Sequence, residues 1–356
     1  MSRARIGVVA VALGVLGLTW LAAGAGEVFF RAYLAAFLVG LDVSLGSLAL
    51  LMMHELTGGA WGVALRPALI AAARLMPLHA LLFLPLLLGL GRLYSWWPAY
   101  LAQDAADQGR AHWLVAGFFL ARAALYFALW ILLAMRLTRA RSDARRRRAS
   151  AWGLLVYAFT TWLASVDWIM SLAPRWYSSG FGFVIITAQA LAALAFAVCV
   201  ADKSADAAGR QTWLDIGNLL LTCVMMWMYV AFTQFLIIWA EDLPGEIVWY
   251  VPRVNTDWKV LTLAVVALQF AVPFALLLSR AVKAEPRRLR RVAAMVLGGH
   301  VLFAFYLVVP TLAPRGFTLD WTEPLTLAAL LGIGAVFWLR QRDRMEGHGT
   351  PAPREP

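Results

Sequence analysis

An all-α integral membrane protein of ten transmembrane helices is the fold this sequence predicts, on three observations. Of 356 residues, 62% are hydrophobic and 14% charged, and the mean hydropathy is +0.73, far outside the norm for soluble domains. Ten stretches approach the ~20 apolar residues needed to cross ~30 Å of hydrocarbon. Arginines gather in alternate connections between those stretches, as loop charge does in membrane proteins.

The spans are expected at residues 6–23, 32–53, 67–90, 113–135, 151–172, 181–200, 216–240, 260–278, 292–311 and 324–339. They group into an N-terminal helix (1–28), a first four-helix bundle (29–180), a second four-helix bundle (181–312), a C-terminal helix (313–340) and a disordered tail (341–356). The first span follows Arg3 and Arg5 and ends in small residues, as a cleaved signal peptide would. Its apolar run is longer than a usual signal core, which favours a retained helix. Seventeen Trp and nineteen Phe fit an interfacial aromatic belt.

Orientation follows from the basic loops. Arg136, Arg139, Arg141 and Arg145 to Arg148 follow the fourth span. Arg280, Lys283, Arg287, Arg288, Arg290 and Arg291 follow the eighth, and Arg340, Arg342 and Arg344 follow the tenth. The opposite side carries scattered charges such as Arg92, Arg175 and Arg253. The positive-inside rule therefore predicts that both termini are cytoplasmic. The net charge of +11 is accounted for by these loops, and no soluble domain is present to carry a basic surface, so nucleic acid is excluded as a partner.

Cys199 and Cys223 are isolated inside apolar spans. With no C-x-x-C and no Cys/His cluster, the chain offers no ligand set for iron–sulfur or structural zinc. Bis-histidine haem needs two facing imidazoles. His79 and His300 are the one pair at similar depth, and they fall in different bundles. No metal or haem is expected on this chain alone.

Function is sought in a polar layer. Asp42, His79, Arg122 and Asp167 each sit in one of four consecutive spans. On a 1.5 Å rise per residue, the first three lie ~13–17 Å from one membrane face and Asp167 about 8 Å from it. One such charge at mid-depth costs ~2.5–3.5 kcal/mol on insertion scales. Four on adjacent helices are expected to line one cavity of the first bundle, for a proton path or a quinone headgroup. Asp167 is the leading candidate; the plainer reading is an Asp–Arg pair that neutralises itself. Gln189, Gln234, Gln269 and His300 repeat the layer in the second bundle, ~9–17 Å from the same face. Internal repeats with midplane polar sites are common in transport folds, but amides also join membrane helices.

Two motifs resemble a known family. The stretch from Leu163 to Ser178, LASVDWIMSLAPRWYS, is similar to a signature of the polysulfide-reductase-like membrane subunits. HELTGGAWG from His54 to Gly62 is similar to that family's turn after the second span. Later segments agree: YVAFTQFLIIW from Tyr229, LPGE from Leu243, Trp258-Lys259 and Val272-Pro-Phe274. Together they resemble the smaller quinone-binding membrane subunit of the quinol:cytochrome c oxidoreductases called alternative complex III, over residues 30–312.

The resemblance implies a respiratory electron-transport subunit of a bacterial inner membrane, without a redox centre and not catalytic alone. Its partners would be a related membrane subunit, a multihaem c-type cytochrome, an iron–sulfur subunit, membrane lipids and quinol. Asp167, Trp168, His54, Gly58 and Gly59 carry over from the motifs. Ala173 and Arg175 stand where an acidic residue and a histidine would be expected after Ser171-Leu172. The alternatives are a stand-alone ion-coupled transporter and a purely structural anchor.

Overall fold

A computed structural model describes residues 3–24, 26–101, 108–139, 142–201, 208–316 and 320–347. Among them, ten helices are long and apolar enough to cross a membrane. They are α1 (Ala4–Ala22), α2 (Glu27–Thr57), α3 (Ala60–Leu87), α4 (Ala116–Arg139), α5 (Asp143–Leu172), α6 (Phe181–Cys199), α7 (Gly209–Glu241), α8 (Lys259–Leu277), α9 (Pro286–Leu312) and α10 (Thr322–Glu346). The described residues form no β-sheet; Ala99 and Val115 make one isolated antiparallel bridge.

Several helices outrun the apolar stretches expected from sequence. α3 starts at Ala60 rather than 67, α5 at Asp143 rather than 151, and α7 at Gly209 rather than 216. Hydropathy marks only the part in hydrocarbon, whereas a helix satisfies its own backbone and continues into the interface. The same reason corrects the C-terminal boundary: α10 stays helical to Glu346, where a disordered tail was expected from 341. Arg342 pairs with Glu346 at 3.0 Å, and Arg5 of α1 pairs with Asp343. Residues 348–356 lie outside the described residues.

The helices close into two four-membered rings. α2, α3, α4 and α5 form one, and α6, α7, α8 and α9 the other. The rings join where α2 packs on α6 and α9, and α5 on α6. α2 is buried along nearly its whole length, with Ala32, Leu48 and Ser47 inaccessible. Gly46 permits the α2–α6 crossing: a Cβ there would stand 1.9 Å from the Gln189 carbonyl oxygen and 2.8 Å from Ala193 Cβ. Small residues at such crossings let membrane helices approach closely.

α1 and α10 pack on each other, and α10 leans on α2 and α3. A buried ion pair fastens it there, with Arg31 Nη2 donating to Glu323 Oε1 at 3.0 Å and Nε at 3.2 Å. Two prolines follow interruptions of regular α-helix, since each lacks an N–H and crowds the carbonyl four residues back. In α3 the α-helix is interrupted at Arg74-Leu75, just before Pro77. In α8 a π-helical turn spans Ala267–Ala271 ahead of Pro273, with Gln269 at its centre.

Three spans separate Ser142 from Asn255, so the fold puts these two exposed residues on opposite sides of a membrane. A membrane-impermeant thiol reagent applied from outside is expected to label Asn255→Cys and spare Ser142→Cys, on a cysteine-free background. Labelling of both from one side would contradict the crossing count; labelling of Ser142→Cys alone would reverse the orientation.

Candidate functional site

The polar layer divides among three places, so the single first-bundle cavity expected for Asp42, His79, Arg122 and Asp167 does not form. The first place is the joint between the rings. Asp42 on α2 is 3% exposed and faces the second ring. Its Oδ1 accepts from Gln189 Nε2 of α6 at 2.8 Å. The Gln189 side-chain oxygen accepts from the Tyr157 hydroxyl of α5 at 2.7 Å. Asp42 Oδ2 lies 3.2 Å from His300 Nε2 of α9, near enough for an ion pair but off the line of a hydrogen bond.

Three helices from both rings thus meet on one carboxylate, and α5 reaches it through Gln189. Gly46 lies one turn beyond Asp42 and rests on the backbone of Gln189, so the close crossing and the polar contact are one feature. The adjoining void is only about 10 Å³ and is walled by Trp130, Trp168 and Ile185. It is at the lower limit for one water and far too small for a ring.

The second place is a closed ion pair. Arg122 Nε donates to Asp167 Oδ2 at 2.8 Å and Nη2 to Oδ1 at 2.7 Å. Trp113 Nε1 donates to Oδ1 and the Tyr126 hydroxyl to Oδ2, each at 2.8 Å. Four donors fill the carboxylate's lone pairs, and Asp167 has no exposed surface. The guanidinium lies 4.0 Å from the Trp113 ring and 4.2 Å from the Phe118 ring, which meet edge to face beside it. The self-neutralising pair is the arrangement found, and it leaves Asp167 no free lone pair for a ligand.

The third place holds His79, whose Nε2 is 2.8 Å from the Ser44 hydroxyl while its ring lies against Gly40. His79 and His300 therefore turn to different partners. Among the described residues, no group of three or more His, Cys, Asp or Glu side chains gathers as a metal site.

The rest of the second layer disperses. Gln269 is fully buried in the π-helical turn with neither side-chain polar atom partnered among the described residues. It adjoins the His300 turn, since a Cβ on Gly299 would meet the Gln269 backbone nitrogen at 2.8 Å. Gln234 instead lines an aromatic cavity of about 270 Å³ with Trp227, Trp249, Tyr250 and Tyr306.

The motif residues of the turn after α2 are architectural here. Gly58 and Gly59 take φ values of 75° and 104°, which side chains resist. The Gly58 N–H caps His54 O at 2.8 Å, and His54 Nε2 lies 3.0 Å from Gly59 O, its ring against Gly62. Trp168 packs among Phe83, Phe127 and Trp130, and its carbonyl accepts from the Tyr94 hydroxyl at 3.0 Å.

Four buried charges escape a reading by span centre: Arg31, Glu323, Arg253 and Lys283, the last donating to Asn218 Oδ1 at 2.8 Å. Arg253, outside the spans and 1% exposed, stacks 3.6 Å over Trp249 and donates to the Tyr306 and Leu307 carbonyls near the end of α9. Burial pushes its guanidinium down to about 10, still a cation at neutral pH. Its one sequence signal is its position among Trp249, Tyr250 and Trp258.

No model of a known protein family matches the chain, and no curated protein is similar to it.

Proposed function

We propose that this chain is a proton-handling membrane subunit of a quinol:cytochrome c oxidoreductase complex, with Asp42 and His300 as the exchanging pair. The observation that carries this reading is the Asp42–His300 contact at 3.2 Å across the joint of the two rings. A buried carboxylate and imidazole can pass a proton between them, and intramembrane ionisable groups mark proton relays by default. Gln189 holds the carboxylate and Tyr157 holds Gln189, which makes both positioning residues. The respiratory complex is supported by the motifs around Asp167 and His54 alone. Proton conduction is favoured over a quinone headgroup at Asp42 by the about 10 Å³ void beside it.

Affinity purification through this chain in mild detergent is expected to bring c-type haem and iron–sulfur absorbance with it. In that complex Asp42→Asn should keep quinol oxidation by an artificial acceptor and lose most coupled proton release between about pH 6 and 8. A colourless monomer would remove the complex from the reading and favour the transporter. Full proton release by Asp42→Asn would remove the relay.

A further inference from the structure

We infer that the aromatic cavity of the second ring holds the headgroup of a lipid-borne quinone, in its oxidised or reduced form. This rests on the respiratory reading for the ligand's redox role and gives the quinol a place away from Asp42. The cavity, about 270 Å³, lies at the end of the ring where α6 and α8 begin and α7 and α9 finish. Its wall is mainly aromatic, with Trp227, Phe235, Trp249 and Phe303 among its side chains. Such faces stack on a flat ring. Phe303 also lies against His300, with ring centroids 6.1 Å apart, which sets the cavity beside the relay.

Three polar side chains narrow the occupant. Gln234, Tyr250 and Tyr306 line the cavity and make no side-chain hydrogen bond among the described residues. None of their polar atoms is sealed inside the protein. A carboxamide and a phenol each donate and accept, so these groups need no particular tautomer. They come from three elements: α7, the α7–α8 connection and α9. The two carbonyl oxygens of a quinone, or the two hydroxyls of a quinol, are their complement. No charged residue lines the cavity among the described residues. Behind its wall, the Arg253 guanidinium stands 3.6 Å from the Trp249 ring and 4.9 Å from the Tyr306 ring. That fixed cation opposes a quaternary ammonium group, the other ligand suited to aromatic walls.

The way in is from the lipid. The first turns of α8, Lys259–Val266, pack on α9, and α7 meets α8 chiefly beyond them, at the π-helical turn and Val272–Leu277. Phe232 and Val254 line the cavity yet are 49% and 48% exposed. A prenyl tail would leave through this gap into the bilayer.

The full chain, purified in detergent and stripped of lipid, is photolabelled with decylubiquinone carrying an azide on its ring, and the adducts are mapped by peptide mass spectrometry. Adducts are expected on the peptides holding Gln234, Tyr250 and Phe303, and excess decylubiquinone should suppress them. Gln234→Leu keeps the volume without the amide and should weaken labelling roughly tenfold, as should Tyr306→Phe. Ala231→Trp fills the cavity from α7 and should abolish it. Suppression by dodecylphosphocholine but not by decylubiquinone would assign the cavity to a quaternary ammonium group and overturn the inference. Adducts outside the cavity would overturn it too, as would unchanged labelling of natively melting Gln234→Leu and Tyr306→Phe. Specific labelling of a chain that purifies as a colourless monomer would keep the site and remove the complex; a haem-bearing complex whose chain takes no label would remove the site alone.

Discussion

Replacing Arg122 by Met is expected to destabilise the protein by ~3–5 kcal/mol, the usual cost of leaving one partner of a buried pair uncompensated. Asp167 is fully buried and takes two of its four hydrogen bonds from this guanidinium. The side chain also packs against the Trp113 and Phe118 rings, so packing is lost with the charge. The double variant Arg122→Met/Asp167→Leu removes both charges and should recover much of the loss. Melting of the two variants and the unaltered protein in one detergent checks this. Equal destabilisation in single and double variants would mean that the pair acts through packing alone, and a native melt for Arg122→Met would mean that Asp167 finds another counter-charge.

Gly46→Ala is expected to be at least as severe, although it adds a single methyl group. Overpacking typically costs ~1–3 kcal/mol because neighbours can shift. Here the added carbon would stand 1.9 Å from a backbone carbonyl oxygen and 2.5 Å from its carbon, on the two helices that join the rings. Those atoms cannot move aside without parting α2 from α6, which also separates Asp42 from Gln189. Expression and gel-filtration profile report the outcome, with Gly332→Ala as the control because a Cβ there meets nothing within 4 Å. A monodisperse, native-melting Gly46→Ala would show that the crossing is looser than described.

The ten spans were legible in the sequence because a bilayer demands long apolar runs with internal backbone bonding, and both requirements are local. The helix interruptions before Pro77 and Pro273 were not, since Pro67, Pro85 and Pro310 lie inside helices as well. Rotation of each helix about its axis was not. Asp42 and Arg122 share a depth range, but Asp42 turns toward a glutamine 147 positions later while Arg122 turns toward Asp167. Depth counted along a helix says nothing of azimuth, so four residues expected around one cavity occupy three places. A local pattern did mark the joint: Asp42 with Gly46 one turn away is a polar group beside a small residue, as close helix crossings require. Arg31 and Glu323 stayed hidden because each lies near the end of its span, where a charge is ordinarily solvated.

The relay claim comes down to whether Asp42 takes up a proton. Infrared difference spectra recorded during a pH titration of the reconstituted protein test it most directly, through the carbonyl band of a protonated carboxyl group. The account predicts a titrating band that disappears in Asp42→Asn, shifts in His300→Gln and persists in Asp167→Asn. A band that survives Asp42→Asn unchanged, or none at any pH where the protein stays folded, would contradict it.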